Sequence, residues 1–200
     1  MDDEFQTIAE EFRHEIPPVK NSRFLAAIAP AQTVEEAEDF LARIRAEAPG
    51  ANHHCWAYRI GRPCETFRSS DDGEPGGSAG RPILQQIEGH ELTDTIVVVT
   101  RFFGGTKLGV GGLMRAYGGC AGKALDLAPR RVVVVTERLH LTAPYECEGA
   151  IQGFFAARKL KPVTSEYGAS IEWTLDVPRR MREELEGELR DRTAGRIQIR

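Results

Sequence analysis

The chain has 200 residues and a formal net charge of −4. This length suits one large or two small domains, and a hydrophobic content of 41% can supply a core. The slightly acidic balance excludes a general attraction to nucleic acid or anionic lipid, so such binding would require a local basic patch. The N-terminal residues lack a signal-peptide pattern, and no apolar run approaches the roughly 18 residues that span a bilayer. We therefore expect a cytoplasmic protein without membrane contact.

Strand and helix patterns alternate along the first quarter of the chain. Residues 23–28 form a short apolar run typical of a strand. A capping box of Thr33 and Glu36 then predicts a helix over residues 33–48. Residues 53–60 return to a period of two, which predicts a strand with one face buried. The residues predicted to share that face are His54, Trp56, Tyr58 and Ile60.

Two further helices are predicted, one on each side of a strand in the sequence. Residues 78–88 carry helix-spaced apolar positions, and the continuous apolar run at 95–100 predicts a strand buried on both faces. A glycine-rich loop at 104–112 then leads into a predicted helix over 113–127. Glycines inside that helix cost about 1 kcal/mol each relative to alanine, so we interpret them as sites of close packing.

A second domain is predicted after residues 128–130, where proline interrupts the pattern. The predicted order is strand 131–138, helix 144–157, strand 161–167, strand 170–177, helix 178–192 and strand 196–200. This βαββαβ order predicts a four-stranded antiparallel sheet with two helices on one face, the ferredoxin-like arrangement. The predicted fold class is α+β, with an N-terminal βα domain at 1–129 and a ferredoxin-like domain at 130–200.

Cysteine spacing indicates no disulfide framework. The four cysteines are irregularly placed, and a reducing compartment favours free thiols. They are Cys55, Cys64, Cys120 and Cys147. The adjacent His53 and His54 would point to opposite faces of a strand, so they cannot easily share a zinc ion, and we predict no metal site and no cofactor.

The strongest chemical pattern is the glycine-rich loop before the helix at 113–127. Glycines let an anion approach backbone N–H groups, and a helix N-terminus adds partial positive charge. The loop matches neither a Walker A motif nor Gly-x-Gly-x-x-Gly, so a tight structural turn remains an alternative. The residues predicted to bind an anion or RNA are Arg101, Gly104, Gly105, Lys107, Gly109, Gly111, Gly112, Arg115 and Tyr117. The basic members would contact phosphates and Tyr117 would stack on a base.

Five further residues are weaker candidates. Asp71, Asp72 and Glu74 could bind a divalent cation, but their spacing is not that of an EF-hand, and a tight turn is the favoured interpretation. Ser78 lies in a Gly-x-Ser-x-Gly pattern without the upstream strand of a nucleophile elbow, which favours helix capping by its hydroxyl. His54 is expected on the same surface as the anion site.

Several separated motifs resemble the IMPACT/YigZ family. They are Ser22-Arg-Phe24, His53-His54-Cys55, Ser70-Asp-Asp-Gly-Glu-Pro75, Gly77-Ser-Ala-Gly80, Arg101-x-x-Gly-Gly105, Leu108-Gly-x-Gly-Gly-Leu113 and Ala116-Tyr-Gly-Gly119. Their common order over about residues 18–128 makes the resemblance specific. It implies an N-terminal domain with the βα fold shared by a small-subunit ribosomal protein and elongation factor G, and a C-terminal domain of the kind found in bacterial members.

The resemblance also implies a function. Similarity to domains that contact ribosomal RNA implies a non-catalytic protein that binds RNA or the ribosome, linked to regulation of translation, with a protein of the translation machinery as another expected partner. Two alternatives stay open at this point. One is a nucleotide- or phosphate-dependent enzyme that uses the loop at 104–112, and the other is a protein-interaction module. The sequence marks no catalytic residue and does not predict an oligomeric state.

Overall fold

The computed structural model describes residues 3–61 and 66–200. The strands are β1 (Glu4–Ile8), β2 (Phe12–Val19), β3 (Ser22–Pro30), β4 (His53–Ile60), β5 (Thr66–Ser70), β6 (Thr95–Phe102), β7 (Arg130–Val134), β8 (Thr136–Ala143), β9 (Thr164–Tyr167), β10 (Ile171–Pro178) and β11 (Gln198–Ile199). The α-helices are α1 (Val34–Glu47), α2 (Gly80–Gly89), α3 (Val110–Leu127), α4 (Glu148–Arg158) and α5 (Arg182–Arg192). Short 3-10 turns at Tyr145–Cys147 and Arg179–Met181 precede α4 and α5. This mixed content agrees with the predicted α+β class.

The chain forms two compact units. The larger unit is Phe5–Val133, and the smaller unit is Val134–Arg200 together with the N-terminal residues up to Glu4. Strands β1 and β7 pair in a two-stranded sheet. None of the described helices is long and apolar enough to cross a bilayer.

A five-stranded sheet forms the centre of the larger unit. Its order is β2-β3-β6-β4-β5, and each strand pairs antiparallel with its neighbours. The central strand β6 is buried on both faces, as its continuous apolar run predicted. Val97 and Val99 of this strand pack in the core formed with α2 and α3, while Ile96 and Val98 pack in the core formed with α1. The sheet therefore lies between two helical layers.

Helix α1 begins where its capping box predicted. The hydroxyl of Thr33 accepts a hydrogen bond from the N–H of Glu36 at 3.1 Å, and the Glu36 carboxylate accepts one from the N–H of Gln32 at 2.7 Å. The helix buries Phe40 and Ile44 against the sheet. Burial of one such side chain contributes about 1.5–3 kcal/mol, so packing rather than capping supplies most of the stability of α1.

Two glycines of α3 face α2. A Cβ at Gly118 would lie 3.5 Å from the side chain of Pro82, and one at Gly122 would lie 2.5 Å from Oε1 of Gln86. The contact at Gly118 is of ordinary van der Waals length, and at Gly122 an added Cβ would displace only the flexible end of the Gln86 side chain. Gly119 is exposed, and a Cβ there would meet no described atom within 4 Å.

The smaller unit contains a four-stranded sheet of order β11-β8-β10-β9, with antiparallel pairing throughout. Its inner face packs Leu141 and Trp173 against Phe154 and Phe155 of α4 and against Leu185 of α5. The predicted single strand at 131–138 is in fact two strands, because β7 pairs with β1 whereas β8 joins this sheet and continues to residue 143.

The described cysteines are buried free thiols, as predicted for Cys55, Cys120 and Cys147. Burial raises the pKa of the Cys55 thiol to about 12, and it does the same for Cys120. These two thiols therefore stay protonated and unreactive at neutral pH. Cys64, also predicted to be free, lies outside the described residues.

Candidate functional site

A buried ion pair joins β6 to the turn between β5 and α2. Nη1 of Arg101 donates to Oε1 of Glu74 at 2.6 Å, and Oη of Tyr117 donates to the same oxygen at 2.7 Å. The side chains of Arg101 and Glu74 are only 6% and 4% exposed. Removing one charge from such a pair leaves the other buried and uncompensated, which costs several kcal/mol. The cluster therefore fixes the position of the Glu74 carboxylate.

This burial corrects two predicted contacts. The Arg101 guanidinium lies 5.6 Å from the ring centroid of Phe24 and 5.3 Å from that of Phe103, and its charge is balanced by Glu74. It is not an exposed phosphate ligand. Tyr117 is completely buried, so no face of its ring is free to stack on a base. Burial also raises the pKa of its phenol above the ordinary value. Both residues have structural roles here.

The acidic turn is held together by backbone hydrogen bonds. The Asp71 carboxylate accepts bonds from the N–H groups of Gly77, Ala79 and Gly80 at 2.8–2.9 Å. Burial alone would raise the pKa of Asp71, but these three donors outweigh that effect and lower the pKa. Asp71 thus caps α2. The predicted capping by Ser78 is wrong, because α2 begins two residues later and the buried Ser78 hydroxyl has no partner among the described residues.

Asp72 completes the same turn with different partners. Its carboxylate accepts a bond from the N–H of His54 at 2.7 Å and one from Arg45 at 2.7 Å. Within residues 3–61 and 66–200, no three His, Cys, Asp or Glu side chains are grouped as metal ligands. The carboxylates of Asp71, Asp72 and Glu74 are thus each bonded within the protein.

The two adjacent histidines lie on opposite faces of the sheet. His54 is buried, with Nδ1 3.0 Å from the Thr100 hydroxyl, and burial lowers its pKa. It therefore does not share the surface of the glycine loop, contrary to expectation. His53 faces the loop side instead. Its Nδ1 lies 2.8 Å from the carbonyl oxygen of Asp72, and its Nε2 lies 3.9 Å from Oε1 of Glu74. Because a carbonyl only accepts hydrogen bonds, Nδ1 carries a proton and Nε2 is left to face Glu74.

The glycine loop is anchored at its start by Gly104. A Cβ at this position would lie 2.1 Å from the backbone carbon of Asn21, so no other residue fits without movement of the chain. The N–H of Gly104 also donates to the Ser22 hydroxyl at 3.1 Å. Gly105 is exposed, and a Cβ added there would meet no described atom within 4 Å. The first glycine is thus required by packing.

The end of the loop forms the N-terminus of α3. Gly109 occupies the N-cap with φ of 73°, a conformation that favours glycine. The helix begins at Val110, three residues earlier than predicted, so Gly111 and Gly112 lie in its first turn. No described side chain caps this end, and the first turn contains no acidic residue. The end of α3 is therefore compatible with an external anion.

A cavity of about 450 Å³ lies beside this helix end. Lys107 and Val110 line it from the loop side, and His53 and Glu74 line it from the sheet side. Phe103, which is 45% exposed, contributes an aromatic face. Sequence reasoning did not select His53 as a site residue. Side chains alternate along a strand, which places the two histidines on opposite faces of the sheet. The alternation does not indicate which of these faces bears the site.

A larger cavity of about 580 Å³ lies elsewhere in this unit, between the end of α1 and strands β2 and β3. Its charged rim consists of residues that pair with one another, as Arg23 does with Glu15 at 2.8 Å. Both described cations on its rim, Arg13 and Arg23, have ion-pair partners, whereas Lys107 at the smaller cavity has none among the described residues. The smaller cavity is therefore the candidate site.

Lys107 and Arg115 are the exposed cations of this surface. Neither has an ion-pair partner among the residues that the structure describes. The Arg115 guanidinium lies over the first turn of α3, 3.7 Å from the Cβ position of Gly111. Both predicted cations thus remain available to an anion.

Comparison with known proteins identifies the family. The family model of the Impact N-terminal domain matches residues 20–125, which run from β3 almost to the end of α3. The chain belongs to the IMPACT family. The matched region contains every residue that lines the candidate cavity. The IMPACT/YigZ resemblance seen in the sequence motifs is therefore confirmed.

The similarity to other IMPACT family members extends over most of the chain. An IMPACT family member of Haemophilus influenzae is 34% identical, with 90% of this chain and 89% of the relative covered. IMPACT family member YigZ of Escherichia coli is 35% identical, with 92% and 91% covered. A crystal structure of a hypothetical protein superposes with a TM-score of 0.76 at 31% identity, covering 100% of this chain and 97% of that one.

Proposed function

We propose that the protein binds RNA, free or in the ribosome, without chemistry of its own, and that it acts in the cytoplasm. The observation that carries this proposal is the uncapped N-terminus of α3, which has no acidic residue in its first turn and lies between the exposed cations Lys107 and Arg115. Helix ends and cations of this kind attract phosphate groups.

The exposed face of α3 extends the same surface. Arg115, Gly119 and Lys123 follow at intervals of four residues, so they lie on one side of the helix, and all three are exposed. No described atom lies within 4 Å of a Cβ position at Gly119, which leaves room for a nucleic-acid backbone against the helix. These cations supply the local basic patch that a chain with net charge −4 requires.

Base stacking is assigned to Phe103 in place of Tyr117. Its ring is 45% exposed beside the candidate cavity, and the Arg101 guanidinium covers it from one direction at 5.3 Å. Stacking of one base on an aromatic ring contributes about 1–3 kcal/mol and tolerates any sequence.

Two features of the fold support a function at the ribosome. The sheet order β11-β8-β10-β9 with helices α4 and α5 supports a ferredoxin-like second domain. Membership of the IMPACT family implies that the larger unit is similar to domains of a ribosomal protein and an elongation factor. We also propose the domain division at 1–129 and 130–200.

The test is binding of purified protein to ribosomes by co-sedimentation and to a structured RNA by fluorescence anisotropy, each across a salt series. Lys107→Glu/Arg115→Glu should weaken RNA binding at least tenfold and reduce the salt slope by about 0.7–0.9 per lost phosphate contact. The matched control is Arg131→Glu/Lys161→Glu, which makes the same charge change at exposed positions outside α3 and its loop. Equal weakening by both double variants, or no binding at low salt, would contradict the proposal.

A further inference from the structure

We propose that the cavity beside α3 is a pocket for one guanine nucleotide, with Glu74 and His53 as the two hydrogen-bond acceptors that recognise the base. This inference rests on the proposed RNA binding and names the part of the RNA that the site selects. The general phosphate surface of Lys107 and Arg115 would provide affinity, and the pocket would provide specificity.

The first observation is an incompletely bonded carboxylate. Both hydrogen bonds to Glu74, from Arg101 and Tyr117, reach the same oxygen, Oε1. No described residue donates a hydrogen bond to Oε2, although the side chain is 4% exposed. Oε2 is not sealed in the core, so it is free to accept a hydrogen bond at the cavity surface. Because Glu74 lines the cavity, a donor that enters the cavity can satisfy this oxygen.

The second observation is the orientation of the His53 ring. The carbonyl oxygen of Asp72 lies 2.8 Å from Nδ1 and accepts a hydrogen bond from its N–H, so Nε2 is the acceptor of the tautomer that carries this single proton. This nitrogen lies 3.9 Å from Oε1 of Glu74, and the His53 side chain is 25% exposed and lines the same cavity. The wall therefore offers two neighbouring acceptors.

The third observation is the size and lining of the cavity. At about 450 Å³ it falls within the range of about 300–1,000 Å³ that holds small ligands, and a duplex could not enter it. Leu108 and Leu113 form an apolar wall, and Phe103 provides a ring for stacking. Lys107 lies on the cavity rim next to the uncapped first turn of α3. One nucleotide can thus place its phosphate at α3, its base on Phe103 and its polar edge at the acceptors.

The pattern of acceptors selects the base. Guanine is the standard base that presents two adjacent donors on its Watson–Crick edge, the N1–H and the exocyclic amino group. Adenine and cytosine each present one amino group beside an acceptor nitrogen, and uracil presents one N–H between two carbonyls. Two adjacent acceptors therefore match guanine, read on an unpaired nucleotide as proteins commonly read single-stranded RNA.

The experiment measures binding of single-stranded RNAs of five nucleotides that differ only in the central base. An RNA with central guanine should bind at least tenfold more tightly than those with adenine, cytosine or uracil. Inosine, which lacks the amino group, should lose a large part of that preference. Equal affinities for guanine and inosine RNAs would overturn the assignment of two acceptors.

Three variants locate the preference in the pocket. Glu74→Gln keeps the shape but replaces one acceptor oxygen with a donor, and His53→Ala removes the other acceptor. Because Glu74→Gln also weakens the buried pair with Arg101, Val110→Trp is included: Val110 is 53% exposed, so the larger ring can narrow the cavity without loss of core packing. Each variant should abolish the guanine preference while the salt slope stays unchanged. If His53→Ala and Val110→Trp both retain the preference, the pocket is wrong although RNA binding stands.

A separate arm uses guanosine 5′-monophosphate alone in a thermal-shift assay. If no RNA binds, the proposed function fails, and this arm then decides the pocket. A stabilisation by guanosine monophosphate that Val110→Trp removes would support the pocket with a free nucleotide as its occupant. Absence of any shift in that case would overturn the pocket as well.

Discussion

His53 and Arg101 lie directly opposite each other on the neighbouring strands β4 and β6. Both side chains reach the carboxylate of Glu74, Arg101 at 2.6 Å and His53 at 3.9 Å. The register of two strands thus brings a base and a cation to one acid that arrives from the turn before α2. A register shift of one residue in either strand would move that strand's side chain to the other face of the sheet.

Loss of the buried ion pair between Arg101 and Glu74 should lower the stability of the larger unit. We expect Arg101→Leu to reduce the free energy of unfolding by about 3–5 kcal/mol, because it leaves the Glu74 charge buried without its partner. Urea denaturation followed by circular dichroism measures this. The double variant Arg101→Leu/Glu74→Leu should recover much of the loss. If the double variant is less stable than Arg101→Leu alone, the cost does not come from an uncompensated charge.

The cap formed by Asp71 should make stability depend on acid. Because its folded-state pKa is lowered from the ordinary 3.8, Asp71 stabilises the fold above that value, and the contribution disappears as pH falls through the lowered pKa. Asp71→Asn should therefore cost about 0.5–2 kcal/mol at pH 7. The difference from the unsubstituted protein should narrow below pH 3.8. Urea titrations at pH 7 and at lower pH test this, and a constant difference would contradict the role of the ionised form.

His54 should contribute a second, milder pH dependence. Burial lowers its pKa, and Arg45 and His53 act in the same direction while Asp72 opposes them. A lowered pKa means that stability is fully present above the ordinary value of 6.5 and is lost as pH falls below it. His54→Gln, which can keep a hydrogen bond to Thr100, should flatten the fall in thermal midpoint below pH 6.5. A slope identical to that of the unsubstituted protein would exclude His54 as its cause.

Two glycines of the same surface should respond oppositely to alanine. Gly104→Ala would place a Cβ 2.1 Å from the backbone of Asn21, so we expect the loop to shift, with a clear fall in thermal midpoint. Gly119→Ala places a Cβ in open space within α3 and should stabilise the helix by about 1 kcal/mol. Differential scanning calorimetry of both variants tests the pair. Similar destabilisation by both would show that contact with Asn21 is not the decisive factor.

Local signals predicted the elements well and the site only in part. The capping box of Thr33 and Glu36 and the apolar run of β6 are contained in a few neighbouring residues, so sequence alone located them. Lys107 and Arg115, predicted to contact phosphates, lie exposed on a loop and on a helix surface.

The errors involve partners that are distant in sequence. Arg101 and Tyr117 lie 27 and 43 residues from Glu74, and only the fold reveals that they share its oxygen. The choice between His53 and His54 likewise depends on which face of the sheet carries α3. Composition gives no information on either point.

The hydrogen bonds of Asp71 have a consequence for ligand affinity. By bonding to Gly77, Ala79 and Gly80, Asp71 closes residues 71–80 into a ring of chain with Glu74 near its middle. The conformational entropy of this segment is then lost when the protein folds, so a ligand that bonds to Glu74 does not have to order it. The acidic turn thus preorganises the Glu74 carboxylate for binding before any ligand is present.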